Sequence, residues 1–599
     1  MINTLSKILF FFKAGQRKTI AFIFCCMIIT GIIEMGGVAV IFPFISVATK
    51  PEVIQTNFYL HAIYEKLGFS DPKQFILFLG AVVFVFFVLG NAFSAFTIWF
   101  SFRFSYFKGK EISCDLLNKY LSQPYMFFLN RSSSDFVNTI LTEVLKVVSG
   151  VFANCLQLFA RSFVILFIFT FLIIIDVRLA LTVFSVLGIA YFLMYRFVRR
   201  RLFHAGKIAS EITSSRIQTI TETIGAIKEL KILGKEPYFK NAFQEQSLKF
   251  AKSEIISQLA PLLVRYIIEA IALGGMVLIA LYLIATHDNI EKFMPLLGLY
   301  ALAGYRLMPA MQQVFSGFTS LKYNLAALNK LYAEFQISLS KVAKPLNVSV
   351  KIPFEESISI ENVSFVYDDL KPRKILNNLN LTINKNNIIG IVGTSGAGKT
   401  TLVDIILGLL KPSIGHLAVD NVVVDENSLQ AWQRKIGYVP QNIFLLDNTV
   451  QANIALGIPE NEINHQALEN ASKLANLHTF ISQELIDGYK SKIGERGVCL
   501  SGGQRQRIGI ARALYHEPEL LIFDEATSAL DGINEEIIME AISNLGGQKT
   551  IIMIAHRINT VKKCDLIYVL NEGEIQDYGT YSDLLKSNEY FQKLANVRA

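Results

Sequence analysis

Long apolar runs fill the first half of the chain and then stop. Six stretches each hold about 20 largely apolar residues, the length that a helix needs to cross the hydrocarbon core of a bilayer. They run approximately over 19–47, 74–100, 151–175, 179–198, 259–286 and 292–318. The pattern predicts an all-α transmembrane domain of six spans over residues 1–335, with both of its ends on one side of the membrane.

The polar segments between the spans admit more than one structure. Segments 101–150 and 199–258 are either helices that extend the spans into the cytosol or separate soluble insertions. We favour helices, because neither segment is long enough for a core of its own. The segment 54–67 places apolar residues at helical spacing, which fits an amphipathic helix on the outer leaflet and an ordered loop equally well.

The pattern changes from Ile358 onward. Short β-rich runs alternate with helical stretches, which is typical of an α/β domain with a largely parallel sheet. The clearest runs are Ile358–Tyr367, Ile388–Val392, Leu520–Phe523 and Thr550–Ile554. We therefore expect a linker over 336–352 and an α/β domain over 353–599.

Composition supports this division. Hydrophobic residues make up 52% of the chain and charged residues only 18%, which excludes a disordered protein. The net charge is +8, but no basic stripe with interleaved aromatic residues is present, so no nucleic-acid partner is expected. The six cysteines show no metal-ligand spacing, and a disulfide framework is not expected.

The distribution of basic residues predicts the orientation. Eleven Lys and Arg residues lie between Arg199 and Lys252, whereas the loop after the third span offers only Arg178. Positive residues accumulate on the cytoplasmic side of membrane proteins. Both termini and the α/β domain are therefore expected in the cytoplasm, with the spans in the bacterial inner membrane in contact with its lipid.

A phosphate-binding motif opens the α/β domain. It fits G-x-x-x-x-G-K-[ST], follows the apolar run Ile388–Val392 and precedes a helical stretch that begins near Thr401. Its residues are Gly393-Thr394-Ser395-Gly396-Ala397-Gly398-Lys399-Thr400. In such a loop the backbone N–H groups cradle phosphates, the lysine reaches the β- and γ-phosphates, and the Thr400 hydroxyl holds Mg²⁺. With Thr401, this run is the expected ATP site.

Two further motifs complete the expected chemistry. The apolar run 520–523 ends in Asp524, placed to hold the metal, and Glu525, placed to polarise the attacking water. A serine, two glycines and a glutamine precede a second helical run, 505–514, and form another anion-binding helix start. These are Ser501, Gly502, Gly503 and Gln504. A second phosphate cradle in one chain makes sense if it closes over the nucleotide of a neighbouring chain.

These motifs, in this order, resemble those of ABC-transporter ATPases. The resemblance implies that Tyr367 stacks on adenine, that Gln441 touches Mg²⁺ and acts in catalysis, and that His556 is the switch histidine at the γ-phosphate. It also identifies residues 494–497 as the cross-linking loop of exporters and 528–531 as a dimer-contacting loop. Segments that resemble the coupling helices of the family lie at 124–130 and 235–243.

The resemblance further implies a dimer. Six spans and one ATPase domain make a half-transporter, and two ATP molecules are clamped between head-to-tail ATPase domains. Glu525, His556 and residues 500–504, which resemble the signature of ABC-transporter ATPases, are all intact, so each of the two sites could hydrolyse ATP. This favours a second identical chain as the partner over a different one.

Charged residues inside the spans are the best clue to the substrate, because a charge at the centre of a span is costly and marks function. The candidates are Glu34, Arg265 and Arg306; Arg265 and Glu269 stand one helical turn apart and could simply pair. Their surroundings resemble the lipid-linked oligosaccharide flippases of bacterial protein N-glycosylation. That resemblance implies an amphipathic, lipid-linked substrate; the alternative is an exporter of peptides, lipids or hydrophobic drugs.

Overall fold

The computed structural model describes residues 2–69, 71–286, 294–337, 352–367, 374–525, 539–540, 546–555 and 558–596. The chain forms two compact units. The first comprises Met1–Gln123 and Arg131–Ser340, and the second comprises Pro124–Asn130 and Lys341–Ala599. In the described residues the first unit is helical and the second combines helices with two sheets.

The first unit is a bundle of long helices joined by short turns. Its α-helices are α1 Ile2–Phe10, α2 Arg17–Thr49, α3 Val53–Thr56, α4 Phe58–Lys66, α5 Pro72–Leu121, α7 Ser133–Val137, α8 Val144–Val147, α9 Asn154–Ile175, α10 Val177–Gly225, α11 Ile227–Leu233, α12 Glu236–Thr286, α13 Met294–Tyr323 and α14 Leu325–Gln336. Two π-helical segments, Asn138–Glu143 and Val148–Ala153, flank α8.

Side-chain caps fix where these helices begin. Asp176 forms a one-residue turn between α9 and α10, and its carboxylate accepts hydrogen bonds from the N–H groups of Arg178 and Leu179. Asp71 caps α5 in the same way, with Pro72 at the first helical position. Such caps satisfy N–H groups that have no partner within the helix. The short turns therefore follow directly from the sequence.

Five helical stretches among the described residues are long and apolar enough to cross a membrane. They are Ala14–Thr49, Pro72–Leu121, Ser133–Ile175, Val177–Gly225 and Glu236–Gly275. The sixth predicted span, 292–318, begins outside the described residues, and α13 covers the rest of it. The polar segments 101–121 and 199–225 continue α5 and α10 without a break. Residues 54–67, left open between helix and loop, contain α3 and α4.

One glycine permits a very close approach between two helices of this unit. A Cβ atom on Gly206 of α10 would stand 1.8 Å from the carbonyl oxygen of Tyr323 at the end of α13. A backbone atom cannot move aside as a flexible side chain can. The contact therefore requires glycine.

Gly206→Ala is expected to lower the stability of the first unit. The added methyl group must push α10 away from α13, at a cost on the order of 1–3 kcal/mol. The thermal unfolding midpoint in detergent measures the effect, with Gly188→Ala in the same helix as control. A Cβ at Gly188 meets nothing within 4 Å, so that variant should unfold at or above the wild-type midpoint. Equal midpoints for the two variants would contradict the close approach.

The second unit is built on a six-stranded sheet of order β10-β9-β3-β8-β7-β6, in which all pairs are parallel except β9 with β10. A second, antiparallel sheet has the order β2-β1-β4-β5. The strands are β1 Ser357–Phe365, β2 Leu376–Asn384, β3 Ile388–Val392, β4 Ile414–Val419, β5 Val422–Val423, β6 Ile436–Val439, β7 Leu520–Asp524, β8 Thr550–Ala555, β9 Leu566–Asn571 and β10 Glu574–Gly579.

The largely parallel sheet predicted from the sequence exists, but the run 358–367 does not belong to it. That run forms β1, which pairs antiparallel with β2 and β4. Side chains of each strand in the main sheet point alternately to its two faces. On β7, Leu521 and Phe523 belong to one hydrophobic core, and Leu520 and Ile522 belong to the other. Burial on both faces is typical of parallel sheets and accounts for the continuous apolar run.

The helices of the second unit cover these sheets. They are α6 Tyr125–Leu129, α15 Lys399–Ile406, α16 Leu429–Gln433, α17 Val450–Ile454, α18 His465–Leu474, α19 His478–Gln483, α20 Gly502–Leu514, α21 Tyr581–Ser587 and α22 Glu589–Asn596. The helix α6 comes from the segment that resembles a coupling helix. Its Met126 packs against the core that contains β1 and α15. The other such segment, 235–243, lies in the first unit.

Candidate functional site

The phosphate loop connects β3 to α15 in a conformation that only glycine adopts easily. Gly396 and Gly398 have φ angles of +83° and +101°. A Cβ on Gly398 would also stand 2.8 Å from the Leu376 side chain. The glycines therefore let the backbone curl tightly at the start of α15, and the N-terminus of a helix favours an anion.

Lys399 lies inside this curl. Its side chain is buried, and Nζ donates hydrogen bonds to the carbonyl oxygens of Gly393 (2.8 Å) and Thr394 (3.0 Å). The next residue, Thr400, is exposed. A positive charge held within a ring of backbone groups, beside an exposed hydroxyl, fits the triphosphate of ATP and its metal ion.

Tyr367, expected to stack on adenine, is tied to the same helix. Its hydroxyl and the Thr401 hydroxyl of α15 lie 3.0 Å apart in a hydrogen bond, and its ring is 40% exposed. Phe365 meets the ring edge-on at 5.0 Å between centroids. The predicted adenine platform is therefore held against the helix that follows the phosphate loop, and the residue is partly exposed.

The two carboxylates follow β7, as the sequence predicts. Asp524 is buried and accepts a hydrogen bond from the Tyr438 hydroxyl at 3.3 Å. Burial and the negative charge of Glu525 raise the pKa of Asp524. Burial and the charge of Asp524 also raise the pKa of Asp404 in α15 to about 6. This concentration of negative charge beside the phosphate loop suits a divalent cation.

Glu525 has a strained backbone and a definite partner. Its φ angle is +52°, which is uncommon for a residue with a side chain, and strain of this kind clusters at functional sites. Its carboxylate accepts a hydrogen bond of 2.6 Å from the Gln441 side-chain amide. The expected catalytic carboxylate and the expected glutamine are thus in direct contact.

The residues expected to hold Mg²⁺ fit that ion by their chemistry. Thr400 offers a hydroxyl, Asp524 a carboxylate and Gln441 an amide oxygen, and oxygen donors are the ones that magnesium prefers. No group of three or more His, Cys, Asp or Glu residues able to hold a metal occurs in the described part of the chain. Magnesium usually takes only one or two carboxylates and completes its shell with phosphate and water.

The signature segment forms the predicted helix start. The Ser501 hydroxyl accepts a hydrogen bond from the N–H of Gln504, and the Gln504 side chain accepts one from the N–H of Ser501. The helix α20 begins at Gly502, with Gly503 in its first turn and no acidic residue there. This reciprocal cap fixes a positive helix end, a suitable place for an anion.

Some predicted residues lie outside the described parts of the chain. His556 and the loop 528–531 are among them, so their expected roles stay predictions. The loop 494–497 is described, and Arg496 has a φ angle of +53°.

In the membrane unit, Glu34 has a partner that the sequence analysis missed. Arg161 of α9, inside the third predicted span, donates to the Glu34 carboxylate at 3.1 Å, and Ser94 of α5 donates to it at 3.0 Å. Arg161 also donates to the side chain of Gln313 on α13. One buried ion pair therefore joins α2, α5, α9 and α13. Only the charge of Arg161 within an apolar run could have revealed it.

Two of the other intramembrane charges, Arg265 and Glu269, line a small cavity. Arg265 and Glu269 of α12 stand 3.8 Å apart, as their spacing suggested, and both are partly exposed. They line a cavity of about 180 Å³ together with Tyr191, Tyr305 and Gln312. Arg306, next to Tyr305 in the chain, contacts Asn91 at 3.5 Å and lies 4.9 Å from the centroid of the Phe87 ring.

Fold, phosphate loop and signature together define a membrane protein that is driven by ATP. The family model described as "ABC transporter" matches residues 376–528, and the model described as "ABC transporter transmembrane region" matches residues 10–293. The chain is 31% identical over 507 residues to the heterocyst differentiation ATP-binding protein HepA of Nostoc sp. (strain PCC 7120), covering 82% of this chain and 80% of that protein. The chain belongs to the ABC transporter family. It is an exporter-type ATPase coupled to transport.

One further relative and one solved structure are also similar to this chain. The ATP-dependent lipid A-core flippase of Cupriavidus metallidurans is 28% identical over 493 residues, covering 82% of this chain and 81% of the flippase. A solved structure of a bacterial Atm1-family ABC exporter with ATP bound shares the fold at a TM-score of 0.76 and 20% identity, covering 97% of this chain and 98% of that one.

Proposed function

We propose that this exporter moves an amphipathic substrate, a lipid-linked oligosaccharide or a related glycolipid, from the inner to the outer leaflet of the bacterial inner membrane. The observation that carries the proposal is the cavity lined by Arg265 and Glu269. It combines both signs of charge, two tyrosines and an amide with the apolar side chains of Ile268 and Met308. Such a lining suits a molecule with a polar head and an apolar tail.

Two identical chains form the working unit in this proposal, with the ATPase domains on the cytoplasmic side. Half-transporters of this family generally act as dimers. Each chain offers one phosphate loop and one capped helix start at Ser501. Both are anion-binding sites, so a phosphate loop and a capped helix start can together bind the phosphates of one nucleotide. The dimer therefore holds two ATP molecules, each between the loop of one chain and the signature of the other.

The residues of the ATP site divide the work in a definite way. The loop 393–400 and Lys399 hold the phosphates, and Thr400, Asp524 and Gln441 would hold Mg²⁺, which offsets the charge that develops on the transferred phosphoryl group. Glu525 polarises the attacking water, and His556 contacts the γ-phosphate. Gln441 contacts Glu525 directly, so movement of Gln441 towards the metal would free the carboxylate for catalysis.

The three intramembrane residues predicted from the sequence receive different roles. Arg265 lines the cavity, and Arg306 contacts Asn91 and the ring of Phe87 on α5. We assign to both arginines a contact with an anionic head group, the kind of ligand that a guanidinium favours. The Glu34 carboxylate already accepts hydrogen bonds from Arg161 and Ser94. We therefore assign to Glu34 an indirect role: it fixes Arg161 and the four helices around it rather than contacting the substrate.

The experiment that tests the proposed substrate class is ATP-dependent translocation in proteoliposomes. A fluorescent lipid-linked oligosaccharide, a hydrophobic peptide and a cationic amphiphilic drug are presented separately. We expect only the lipid-linked oligosaccharide, or a glycolipid related to it, to change leaflet when ATP is present. Its fluorescent label then becomes protected from, or exposed to, the solution outside the vesicle. Movement of the peptide or the drug, with none of the glycolipid, would favour the alternative exporter function instead.

Arg306→Ala is expected to impair translocation about tenfold or more while basal ATP hydrolysis stays close to that of the wild type. A desolvated charge-assisted contact with an anionic group is worth roughly 1.5–3 kcal/mol. Both rates are measured on the same proteoliposomes. Arg178→Ala, an exposed arginine at the start of α10, is the control and should change neither. Normal translocation by the Arg306 variant would make this arginine a structural residue.

A further inference from the structure

The last helix of the described chain reaches back to the phosphate loop. The N–H of Thr394 donates a hydrogen bond to the Tyr590 hydroxyl at 3.2 Å. That hydroxyl donates in turn to the Thr394 side-chain oxygen at 3.1 Å. A single tyrosine of α22 therefore binds both the backbone and the side chain of the second residue of the loop. No part of the phosphate-loop motif predicts this contact.

The position of Tyr590 is itself well fixed. The neighbouring Phe591 is completely buried, and its N–H donates to the Asn588 side chain at 2.8 Å. Asn588 also donates to Asp577 of β10 at 3.0 Å. The turn between α21 and α22 is thereby bound to the sheet, and the Tyr590 hydroxyl is delivered to the loop from a rigid base.

Thr394 lies between a tightly packed residue and two exposed ones in the phosphate loop. The preceding Gly393 is pressed against β9, where a Cβ atom would stand 2.2 Å from the carbonyl oxygen of Leu570. After Thr394, Ser395 and Gly396 are exposed. The carbonyl of Thr394 accepts from Lys399, and its N–H donates to Tyr590, so both polar backbone groups of Thr394 are bound.

We propose that Tyr590 is a positioning residue of the ATP site. Its hydroxyl holds the entrance of the phosphate loop in the conformation that accepts the triphosphate, so that less ordering is needed when ATP binds. The inference rests on the ATPase activity of the chain and is independent of the transported substrate. The Tyr590 hydroxyl is bonded to Thr394 of the phosphate loop, whereas the Glu525 carboxylate is bonded to Gln441, so the effect of Tyr590 falls on nucleotide binding rather than on the chemical step.

The test is Tyr590→Phe in the full-length transporter reconstituted in lipid nanodiscs. This change removes one hydroxyl and both of its hydrogen bonds but keeps the partly buried ring. We expect the KM for ATP to rise about three- to tenfold, the range that loss of one or two ordinary hydrogen bonds gives, with kcat within about twofold of the wild type. The Kd of a methylanthraniloyl-labelled ATP should rise by the same factor.

Tyr581→Phe is the matched control. Tyr581 lies in the adjacent helix α21, its ring meets Phe591 at 5.8 Å, and no hydrogen bond of its hydroxyl occurs in the described structure. This variant should leave KM and kcat unchanged. A purely structural role for the C-terminal helices predicts instead that both tyrosine variants lower the unfolding temperature and that neither alters the KM.

A double-mutant cycle with Thr394→Val separates the contact from general loosening. Valine has nearly the shape of threonine but cannot accept the hydrogen bond from Tyr590. We expect Thr394→Val to raise the KM in the wild-type background and to have little further effect in the Tyr590→Phe background, because the bond is already lost. An unchanged KM in Tyr590→Phe, an equal rise in Tyr581→Phe, or strictly additive effects in the cycle would each overturn the proposal.

Discussion

Glu525→Gln should reduce steady-state ATP hydrolysis by about 100-fold or more while ATP binding is retained, since positioned general bases contribute roughly 10²–10⁴-fold. The amide cannot accept a proton from the attacking water, but it keeps the shape of the carboxylate and its contact with Gln441. ATP should then accumulate in the site, and the two chains should stay closed over it. Phosphate release and retention of labelled ATP after gel filtration measure the two effects.

Glu519→Gln is the control for this prediction. Glu519 immediately precedes β7, whose other end carries the reactive carboxylates, and it forms an ion pair of 2.5 Å with Lys435 away from the phosphate loop. Its neutralisation should leave hydrolysis near the wild-type rate. Hydrolysis near the wild-type rate in the Glu525 variant as well would remove that residue from its assigned role.

Arg161→Ala is expected to destabilise the membrane unit severely. The substitution leaves the buried Glu34 carboxylate without its positive partner, with only the hydrogen bond from Ser94, and removal of one partner from a buried ion pair costs about 3–5 kcal/mol. The thermal unfolding midpoint in detergent and the yield of monodisperse protein should both fall. The control, Arg178→Ala, removes an exposed arginine and should leave both unchanged.

The paired variant Arg161→Gln with Glu34→Gln distinguishes the ion pair from simple loss of volume. Two neutral amides can hydrogen-bond with each other and with Ser94, so most of the lost stability should return. If the single Arg161 variant unfolded at the wild-type temperature, or if the paired variant were no better than the single one, the ion pair would not hold these helices together.

The strands of the main sheet were predictable because each one is marked in the sequence by its own continuous apolar run. The run 388–392 is β3 to the residue, and the runs 520–523 and 550–554 fall one residue short of β7 and β8. Continuous apolar runs next to phosphate-binding motifs indicate strands that are buried on both faces. The run 358–367 instead intersperses polar residues with apolar ones, and its antiparallel partners are set by tertiary pairing.

The polar contacts of the site were predictable only in part. A phosphate loop and a capped helix start depend on neighbouring residues, and their geometry follows from the motif. Arg161 and Glu34 are 127 positions apart, and Tyr590 and Thr394 are 196 apart. Contacts over such separations depend on helix packing, so one sequence could suggest the charges and hydroxyls but not their partners.

Two copies of the chain are expected to share each ATP. Disulfide cross-linking tests it directly: Ser395→Cys and Ser501→Cys are introduced together into the Glu525→Gln chain after its six native cysteines are replaced. Oxidation in the presence of ATP and Mg²⁺ should give a covalent species of twice the chain mass, and each single-cysteine chain should not. Absence of that species in protein that binds ATP, or full-rate hydrolysis by a wild-type monomer without detergent or lipid, would contradict the account.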